Sequence, residues 1–574
     1  MGKNLLTGMT KTRTLANFPN KYALRGILAV ATACLLTSGL VSADEETPET
    51  ADHVINAEKA LNEHRYQDAA QEYRIAALAS DDVELAKTAT QVGYSYGFNE
   101  DAIRSARRWA ILAPQDDEAN LYIAQLYLRL GDLREAKRSF QKLLEKGEQP
   151  ADEKLLRLIP ILAREDPDNA YELMRQLAKA YHKSPFAHYA VAVLAIDAGK
   201  FKVAAKRAKK AIELNPEWVK PHLAYARSLL LAGDEEGAID YTSRLVGDDP
   251  DPDPEARMEL AIMLVSAGRE DDALSQINQI LLEQPYRADA LRLMAIINFR
   301  MDRLDAAKAD FEDLLATGSY RMDAVYYLGR IADRRSENDQ AIRYYSQVIS
   351  GSNAVLSQSR AAGIMAQQGE IRKALTQLDR FAEINPNFAV DMLRAKAQVL
   401  ASVERYDEAL AQFDKLISYR PEDEGVHLGR AELLLRMGRI DDAIGQYEAA
   451  ADRWSDSATV LNALGYTLAD RTDRFDEAEK LIRKALKLQP DSAAIIDSWG
   501  WVWFRKGSYE KALGFLEDAY ERLHDPEVAA HIVEVLWAMG QEDEAVSRLD
   551  EAESQFPDND LLQGIRERLL GQTP

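Results

Sequence analysis

Eight histidines and a high density of carboxylates are the residues in this sequence whose types would support metal binding or acid–base catalysis. Their spacing contains no His-Glu-x-x-His pair, the arrangement that places two metal ligands on one helical face. His182 and His188 are six residues apart, and solvated or core-edge positions explain them better than a metal site does. The histidines stand at positions 53, 64, 182, 188, 222, 427, 524 and 531.

One cysteine and one acidic loop complete the chemical candidates. Cys34 is the only cysteine and lies in an apolar run near the N-terminus, so we expect no cysteine nucleophile in the body of the protein. The loop GDDPDPDPEAR, residues 247–257, gathers four aspartates, but its prolines stiffen it and no glutamate closes a coordination shell. We interpret it as a solvated turn, with a cation site as the alternative. No Gly-rich phosphate loop is present. We therefore predict a protein that is not an enzyme and takes no metal and no cofactor.

The first 43 residues have the pattern of an export signal. Five basic and no acidic residues precede and flank the apolar run GILAVATACLLTSGLVSA, which ends in a small-x-small site before Asp44. We predict cleavage after Ala43. The alternatives are a lipoprotein signal, with Ala31-Thr32-Ala33-Cys34 as a weak lipid-attachment box, and an uncleaved anchor. Each of them predicts an exported body.

The charge balance limits the partners. A net charge of −23 argues against nucleic-acid binding, which needs excess positive charge. The stretch GKFKVAAKRAKKAI, residues 199–212, is a basic exception. It is either a solvated helix face or a contact for anionic lipid or an acidic partner. Membrane contact is thus expected only through a lipidated Cys34 or through the basic helix 200–210.

An alanine repeats along almost the whole chain. It stands five residues after a turn residue, as in GDLREAKRSF and GSYEKALGFL, at a mean period of 34.0 residues. Twelve residues earlier a second small residue usually occurs, for example Gly500 before Ala512. Two antiparallel helices approach this closely only where neither side chain is bulky. The alanines are Ala69, Ala102, Ala136, Ala170, Ala204, Ala238, Ala273, Ala307, Ala341, Ala374, Ala409, Ala443, Ala478, Ala512 and Ala545.

These markers resemble the tetratricopeptide repeat (TPR) family. The resemblance implies an all-α fold, an α-solenoid wound as a right-handed superhelix of about fifteen 34-residue helix-turn-helix units. It also implies a protein-binding scaffold without catalytic residues. We predict a signal over 1–43, an acidic linker over 44–52, the repeat array over 53–560 and a tail over 561–574.

The stretch IIDSWGWVWFRKG, residues 495–507, places three tryptophans at a spacing of two. On a helix, Trp499 and Trp503 lie about 40° apart and Trp501 about 200° from Trp499. We therefore predict that Trp499 and Trp503 are core and that Trp501 faces the groove in which the family binds peptides. An aromatic pair beside an arginine is typical of interface hot spots.

The same helical face in other repeats extends this predicted groove. Its arginines are either a basic binding stretch or salt bridges to neighbouring acids. The predicted partner-binding residues are Asn462, Tyr466, Asp497, Trp501, Phe504, Arg505, Trp537, Arg292, Arg300, Arg330 and Arg334.

The segment LNALGYTLADRTDRFDEAEKLIRKALKLQPDSAAIIDSWGWVWFRKGSYEKALGFLEDAY, residues 461–520, resembles the long TPR proteins of the proteobacterial envelope. That group includes an outer-membrane lipoprotein that binds and activates a carboxyl-terminal processing protease and helps deliver peptidoglycan cross-link hydrolases to it. The resemblance implies a non-catalytic periplasmic adaptor, lipid-anchored to the outer membrane if Cys34 is modified. The alternative is a structural scaffold of an envelope assembly such as polysaccharide export or pilus biogenesis.

Overall fold

The computed structural model describes residues 48–63, 65–247 and 251–571. In these residues all regular structure is helical, with thirty-one α-helices and two short 3-10 helices, Ala178–Tyr181 and Pro386–Phe388. The all-α prediction is therefore confirmed. The predicted signal and Cys34 lie outside the described residues.

The chain folds as two compact units, one up to Asp313 and one from Leu314 onward. The helices of the first unit are Pro48–Asn62, Tyr66–Ala79, Val83–Ser95, Asn99–Leu112, Asp117–Arg129, Leu133–Glu145, Ala151–Leu162, Pro167–Leu177, Pro185–Asp197, Phe201–Leu214, Val219–Leu231, Glu235–Gly247, Pro254–Ser266, Glu270–Glu283, Ala288–Arg300 and Leu304–Ala316, whose last three residues belong to the second unit.

The second unit continues in the same way. Its helices are Arg321–Arg334, Asn338–Ser346, Ala354–Gln367, Ile371–Ile384, Ala389–Ser402, Tyr406–Tyr419, Glu424–Arg436, Ile440–Arg453, Ala458–Arg471, Phe475–Leu488, Ala493–Arg505, Tyr509–Arg522, Pro526–Ala538, Glu542–Gln555 and Asp560–Leu570.

The repeating alanines lie where the two helices of each hairpin cross. All fifteen are at most 1% exposed. A Cβ built on Gly500 would come within 2.8 Å of Leu516 Cγ and 3.1 Å of the Ala512 carbonyl oxygen. A Cβ on Gly465 would lie 2.6 Å from Ile482 Cγ1. The close helix approach predicted from the small residues is confirmed.

Local sequence signals begin and end the helices of a hairpin. The helix Ala493–Arg505 is followed by Gly507, whose φ of +75° places it in the left-handed region that favours glycine after a helix end. The amide of Gly507 donates to the Phe504 carbonyl over 2.8 Å. The next hairpin begins with Pro526 in the first helical turn, and Asp525 caps it by accepting from the Glu527 amide at 2.8 Å. Turn chemistry and alanine spacing therefore set the hairpin together.

Two predicted boundaries differ from the structure. The helix Pro48–Asn62 takes in the last five residues of the predicted linker, and Thr50 is only 2% exposed. The helix Asp560–Leu570 occupies most of the predicted tail, with Leu562 and Ile565 at most 2% exposed. The apolar face of this last helix covers the core of the preceding hairpin, which explains why the array continues past residue 560.

Among the helices of the described residues, none combines the length and the apolar character that a bilayer span needs.

Candidate partner-binding face

The residues predicted to bind a partner lie on one side of the first helix of each hairpin, which we call the first-helix face. In the second unit it runs along Ala458–Arg471, Ala493–Arg505 and Pro526–Ala538. The structure closes part of this face with side chains of neighbouring hairpins and leaves another part open. The two parts have different chemistry.

Trp501 lies in the closed part, so the prediction of a free ring is wrong. Its side chain is 5% exposed. The indole stacks on the His531 ring of the following hairpin, with centroids 4.1 Å apart and planes at 26°. Its Nε1 donates to Asp470 Oδ1 of the preceding hairpin at 3.2 Å. The ring is thus held from both sides by residues about thirty positions away in sequence, which helical periodicity does not reveal.

A buried polar chain surrounds that ring. His531 Nδ1 lies 2.9 Å from Asp497 Oδ1, and both side chains are at least nine-tenths buried. His531 Nε2 lies 3.3 Å from the Tyr466 hydroxyl, which donates to Glu527 Oε1 over 3.1 Å. As an imidazolium, His531 donates to Asp497 and to the Tyr466 oxygen while Tyr466 donates onward to Glu527. Each of these four side chains then has a hydrogen-bond partner within the series.

The charges around His531 favour its protonated form. Burial disfavours the imidazolium, but the carboxylates of Asp497, Glu527 and Glu534 outweigh burial and raise the pKa of His531 above its ordinary value. Burial and the same acidic surroundings raise the pKa of Tyr466, so it stays a neutral phenol. Asp497, predicted as a groove residue, is 6% exposed, and its carboxylate pairs with His531 instead of facing a partner. We name Tyr466, Asp497, Trp501 and His531 the closed cluster.

Arg505 joins two hairpins, so the prediction that it faces a partner freely is also wrong. Its guanidinium donates to the Asp470 carbonyl oxygen, 35 residues earlier. It also lies 5.4 Å from the Phe475 ring centroid. Arg436 repeats both contacts, donating to the Ala401 carbonyl at 3.1 Å and lying over a tyrosine. An arginine at the end of the first helix thus caps the carbonyl end of the preceding first helix.

Trp499 and Trp503 were both predicted to be core, and this is correct for Trp499 only. Trp499 is 9% exposed and meets Trp503 edge-on, with centroids 5.7 Å apart. Trp503 is half-buried, and the ammonium of Lys511 lies 4.3 Å from its ring centroid. Its buried Nε1 has no hydrogen-bond partner among the described residues. Trp503 is therefore more exposed than Trp501, the reverse of the prediction.

Three aromatic residues form the partly exposed surface that we call the aromatic ledge: Phe504 and Trp537 on the first-helix face, and Tyr509 at the start of the second helix Tyr509–Arg522. All three are half-buried, and they pack against the same core cluster of the last hairpins. Phe504 and Tyr509 have ring centroids 5.7 Å apart. The ring centroids of Phe504 and Trp501 lie 4.8 Å apart, so the ledge adjoins the closed cluster. Aromatic side chains that are already held in place by packing lose little conformational entropy when they bury their remaining exposed surface against a partner.

Asn462 differs from the other predicted residues. It is half-buried, and its Oδ1 is buried without a hydrogen-bond partner among the described residues. A buried amide oxygen without a donor is uncommon in native proteins.

The four arginines of the predicted basic stretch already interact with other residues of the protein, and they are divided between the two units. In the first unit, Arg300 Nη2 lies 3.1 Å from Glu270 Oε1. Arg330, in the second, lies 5.7 Å and 5.6 Å from the ring centroids of Tyr326 and Tyr327. Arg292 and Arg334 also interact with neighbouring groups. The salt-bridge alternative therefore explains Arg300, and none of the four is an unoccupied cation.

The first unit closes the same face with ion pairs. Arg227 donates to both carboxylate oxygens of Glu259, at 3.1 Å and 2.8 Å, and Glu259 is 5% exposed. Arg129 donates to Glu165 over 2.7 Å and lies 3.6 Å from the Tyr94 ring centroid. Contacts between successive first helices thus use much of this face in both units.

His531 is not among the residues predicted from the sequence to bind a partner. One signal was available, because Asp497 and His531 are 34 residues apart, which is one repeat period. Groups of three or more His, Cys, Asp or Glu suited to a metal ion are absent from the residues that the structure describes.

Sequence profiles described as tetratricopeptide repeat match residues 118–146, 195–258, 229–297, 293–354, 428–493 and 471–526. These matches agree with the hairpins and with the alanine period. The chain belongs to the tetratricopeptide repeat family, whose arrays serve as scaffolds for protein–protein interaction.

Particular relatives match parts of the chain. A TPR repeat-containing protein of Pseudomonas aeruginosa is 34% identical over 214 residues, which are 37% of this chain and 36% of that protein. A DnaJ protein P58IPK homolog B of Oryza sativa subsp. japonica is 26% identical over 157 residues, 27% of this chain and 32% of its own length. The aligned segments thus span about a third of either relative. The solved structure of Naa15/Naa10 bound to HypK-THB covers 92% of this chain and 90% of its own, at 15% identity and a TM-score of 0.37, which supports no inference about partners.

Proposed function

We propose that this scaffold is an exported, non-catalytic adaptor that binds a partner protein on the aromatic ledge. The observation that carries the proposal is the contrast within one face. Neighbouring hairpins bury Trp501, but Phe504, Tyr509 and Trp537 remain only partly buried where they pack against the core of the last hairpins. Aromatic residues in such settings dominate the energetics of protein interfaces.

We further propose that the partner is a carboxyl-terminal processing protease and that the adaptor delivers cell-wall hydrolases to it. The resemblance of residues 461–520 to the envelope TPR proteins supports this, and the ledge lies partly within that segment. The proposed location is the periplasm, with a lipid anchor in the outer membrane as the alternative. Intact mass of the exported protein distinguishes a chain that starts at Asp44 from one acylated at Cys34.

The test uses the purified processing protease of the same organism. Binding and peptidase rate are measured with the wild-type chain and with Trp537→Ala and Phe504→Ala. We expect each variant to weaken binding by about thirtyfold, which corresponds to about 2 kcal/mol, and to lose stimulation in parallel.

Tyr419→Ala provides the control, because Tyr419 is a 66%-exposed aromatic residue at the end of a second helix. It should bind like wild type. Absence of binding by the wild-type chain, or equal losses in all three variants, would contradict the proposal.

A further inference from the structure

The region around the helix Phe201–Leu214 has a large surplus of positive charge in an acidic protein. Residues 175–220 contain ten Lys and Arg residues and three acidic residues, although the whole chain has a net charge of −23. Such a reversal creates a local positive potential that survives the negative field of the rest of the chain over short distances.

The lysines of this helix form a stripe directed away from the core. Ala204, Ala208 and Ala211 are fully buried on one side. Lys202, Lys206 and Lys209 follow at the same i, i+4, i+7 spacing about half a turn away, and all three are exposed. Val203 and Leu214, each 37% exposed, flank the stripe. We call this helix the lysine helix.

Most of the surplus charge is not neutralised within the protein. Lys200 and Lys210 pair with acidic residues. The ammonium of Lys209 lies 4.9 Å from the ring centroid of Tyr225, a contact that leaves its charge uncompensated. Within residues 175–220, six exposed lysines have no ion pair to any described residue. They come from the lysine helix and from the turns and helix starts that adjoin it: Lys179, Lys183, Lys202, Lys206, Lys209 and Lys220.

We propose that the lysine helix docks the protein onto an anionic membrane surface. Six ammonium groups without an ion pair, on long flexible stems, can reach lipid phosphates over a broad area. Val203 and Leu214 supply exposed apolar contacts at the same surface. This attachment is separate from the aromatic ledge, so it stands or fails independently of the proposed adaptor function.

The type of cation favours a lipid surface over an acidic protein. Lysine is depleted in protein interfaces, whereas arginine, which binds carboxylates through two parallel hydrogen bonds, is enriched there. Among the described residues of this region, six of the seven basic residues without an ion pair are lysines, and the seventh, Arg207, is half-buried and contacts His188 Nδ1 at 3.2 Å. Clusters of four to eight basic residues at a helix surface are typical of binding to anionic headgroups.

The test measures cosedimentation of the chain from Asp44 onward with vesicles of phosphatidylglycerol and phosphatidylcholine or of phosphatidylcholine alone. All helices of the described structure lie after that residue. We expect binding to the anionic vesicles only, with a partition coefficient that falls as salt rises. The triple variant Lys202→Gln, Lys206→Gln, Lys209→Gln should reduce this coefficient by tenfold or more, since each lysine contributes about fivefold near an anionic surface.

The helix Phe475–Leu488 offers a matched control. Lys480, Lys484 and Lys487 have the same i, i+4, i+7 spacing and are exposed, but the start of their helix carries Asp476, Glu477 and Glu479. Lys484 Nζ also lies 3.5 Å from Asp456 Oδ1. The triple variant Lys480→Gln, Lys484→Gln, Lys487→Gln removes the same charge and should bind vesicles like wild type. Equal losses in the two triple variants would overturn the proposal. So would wild-type binding to soluble polyglutamate without binding to anionic vesicles, since that result indicates an acidic protein partner.

Discussion

Trp501 and Trp537 lie on the first-helix face of neighbouring hairpins, and the sequence predicts a partner-binding role for both. Trp501 is buried by His531 stacking on its ring and by Asp470 accepting its N–H, whereas Trp537 remains half-buried. The difference arises from what the adjacent hairpins place opposite each ring. A tetratricopeptide groove position is therefore a binding position only where the neighbouring repeats leave it uncovered.

The largest expected effect is that of Trp501→Ala. Removing a buried indole that stacks on His531 leaves a cavity between hairpins, and we expect the second unit to lose about 3–5 kcal/mol of unfolding free energy. Denaturant unfolding measures the loss, and hydrogen exchange localises it to the helices from Ala458 to Ala538. An unchanged midpoint together with lost partner binding would restore Trp501 to the open part of the face.

Gly500→Ala tests the helix crossing next to Trp501. The new Cβ meets Leu516 and the backbone oxygen of Ala512, so overpacking should cost about 1–3 kcal/mol. Gly514→Ala is the matched control, because a Cβ there has open space and alanine favours the helix by about 1 kcal/mol. Thermal unfolding should therefore shift in opposite directions for the two variants. A shift in the same direction would contradict the hairpin register.

The closed cluster should make stability depend on pH. The pKa of His531 is raised in the folded state, so protonation stabilises the fold. This contribution is fully present below the ordinary histidine pKa of about 6.5 and is lost as pH rises through the higher folded value. Stability of the second unit should accordingly fall over that interval, measured by denaturant unfolding at a series of pH values.

His531→Gln should remove this pH-dependent part, because glutamine does not titrate. His524, which is exposed on the neighbouring turn, provides the control His524→Gln and should leave the slope unchanged. If the slope persists in His531→Gln, another group is responsible for it.

Trp537→Ala should have the smallest effect on stability. The ring is only partly buried, so we expect a loss smaller than that of Trp501→Ala, about 1–2 kcal/mol. Its effect should instead appear in partner binding, measured by a binding isotherm with the processing protease. A loss as large as that of Trp501→Ala would show that the aromatic ledge is a core element and would remove the contrast between the two rings.

The hairpins themselves could be predicted from the sequence because their determinants are local. The alanine period identified every helix crossing, and each of those alanines is buried. The ends of the array were harder to predict. Pro48–Asn62 pairs with Tyr66–Ala79 but begins five residues before the predicted array, and Asp560–Leu570 packs on the last hairpin without a second helix of its own in the described residues.

The sequence by itself determined that this protein is a tetratricopeptide array, since helix spacing, small crossing residues and turn residues act within one 34-residue unit. It also determined the surplus of lysine around residue 206. Only the tertiary structure decided which side chains of the first-helix face remain accessible. Asp470 and His531 cover Trp501 from positions 31 residues before and 30 residues after it, and Arg505 reaches a carbonyl 35 residues back. Helical periodicity specifies the direction of a side chain, but its burial depends on the size and polarity of the residue that the next hairpin places against it.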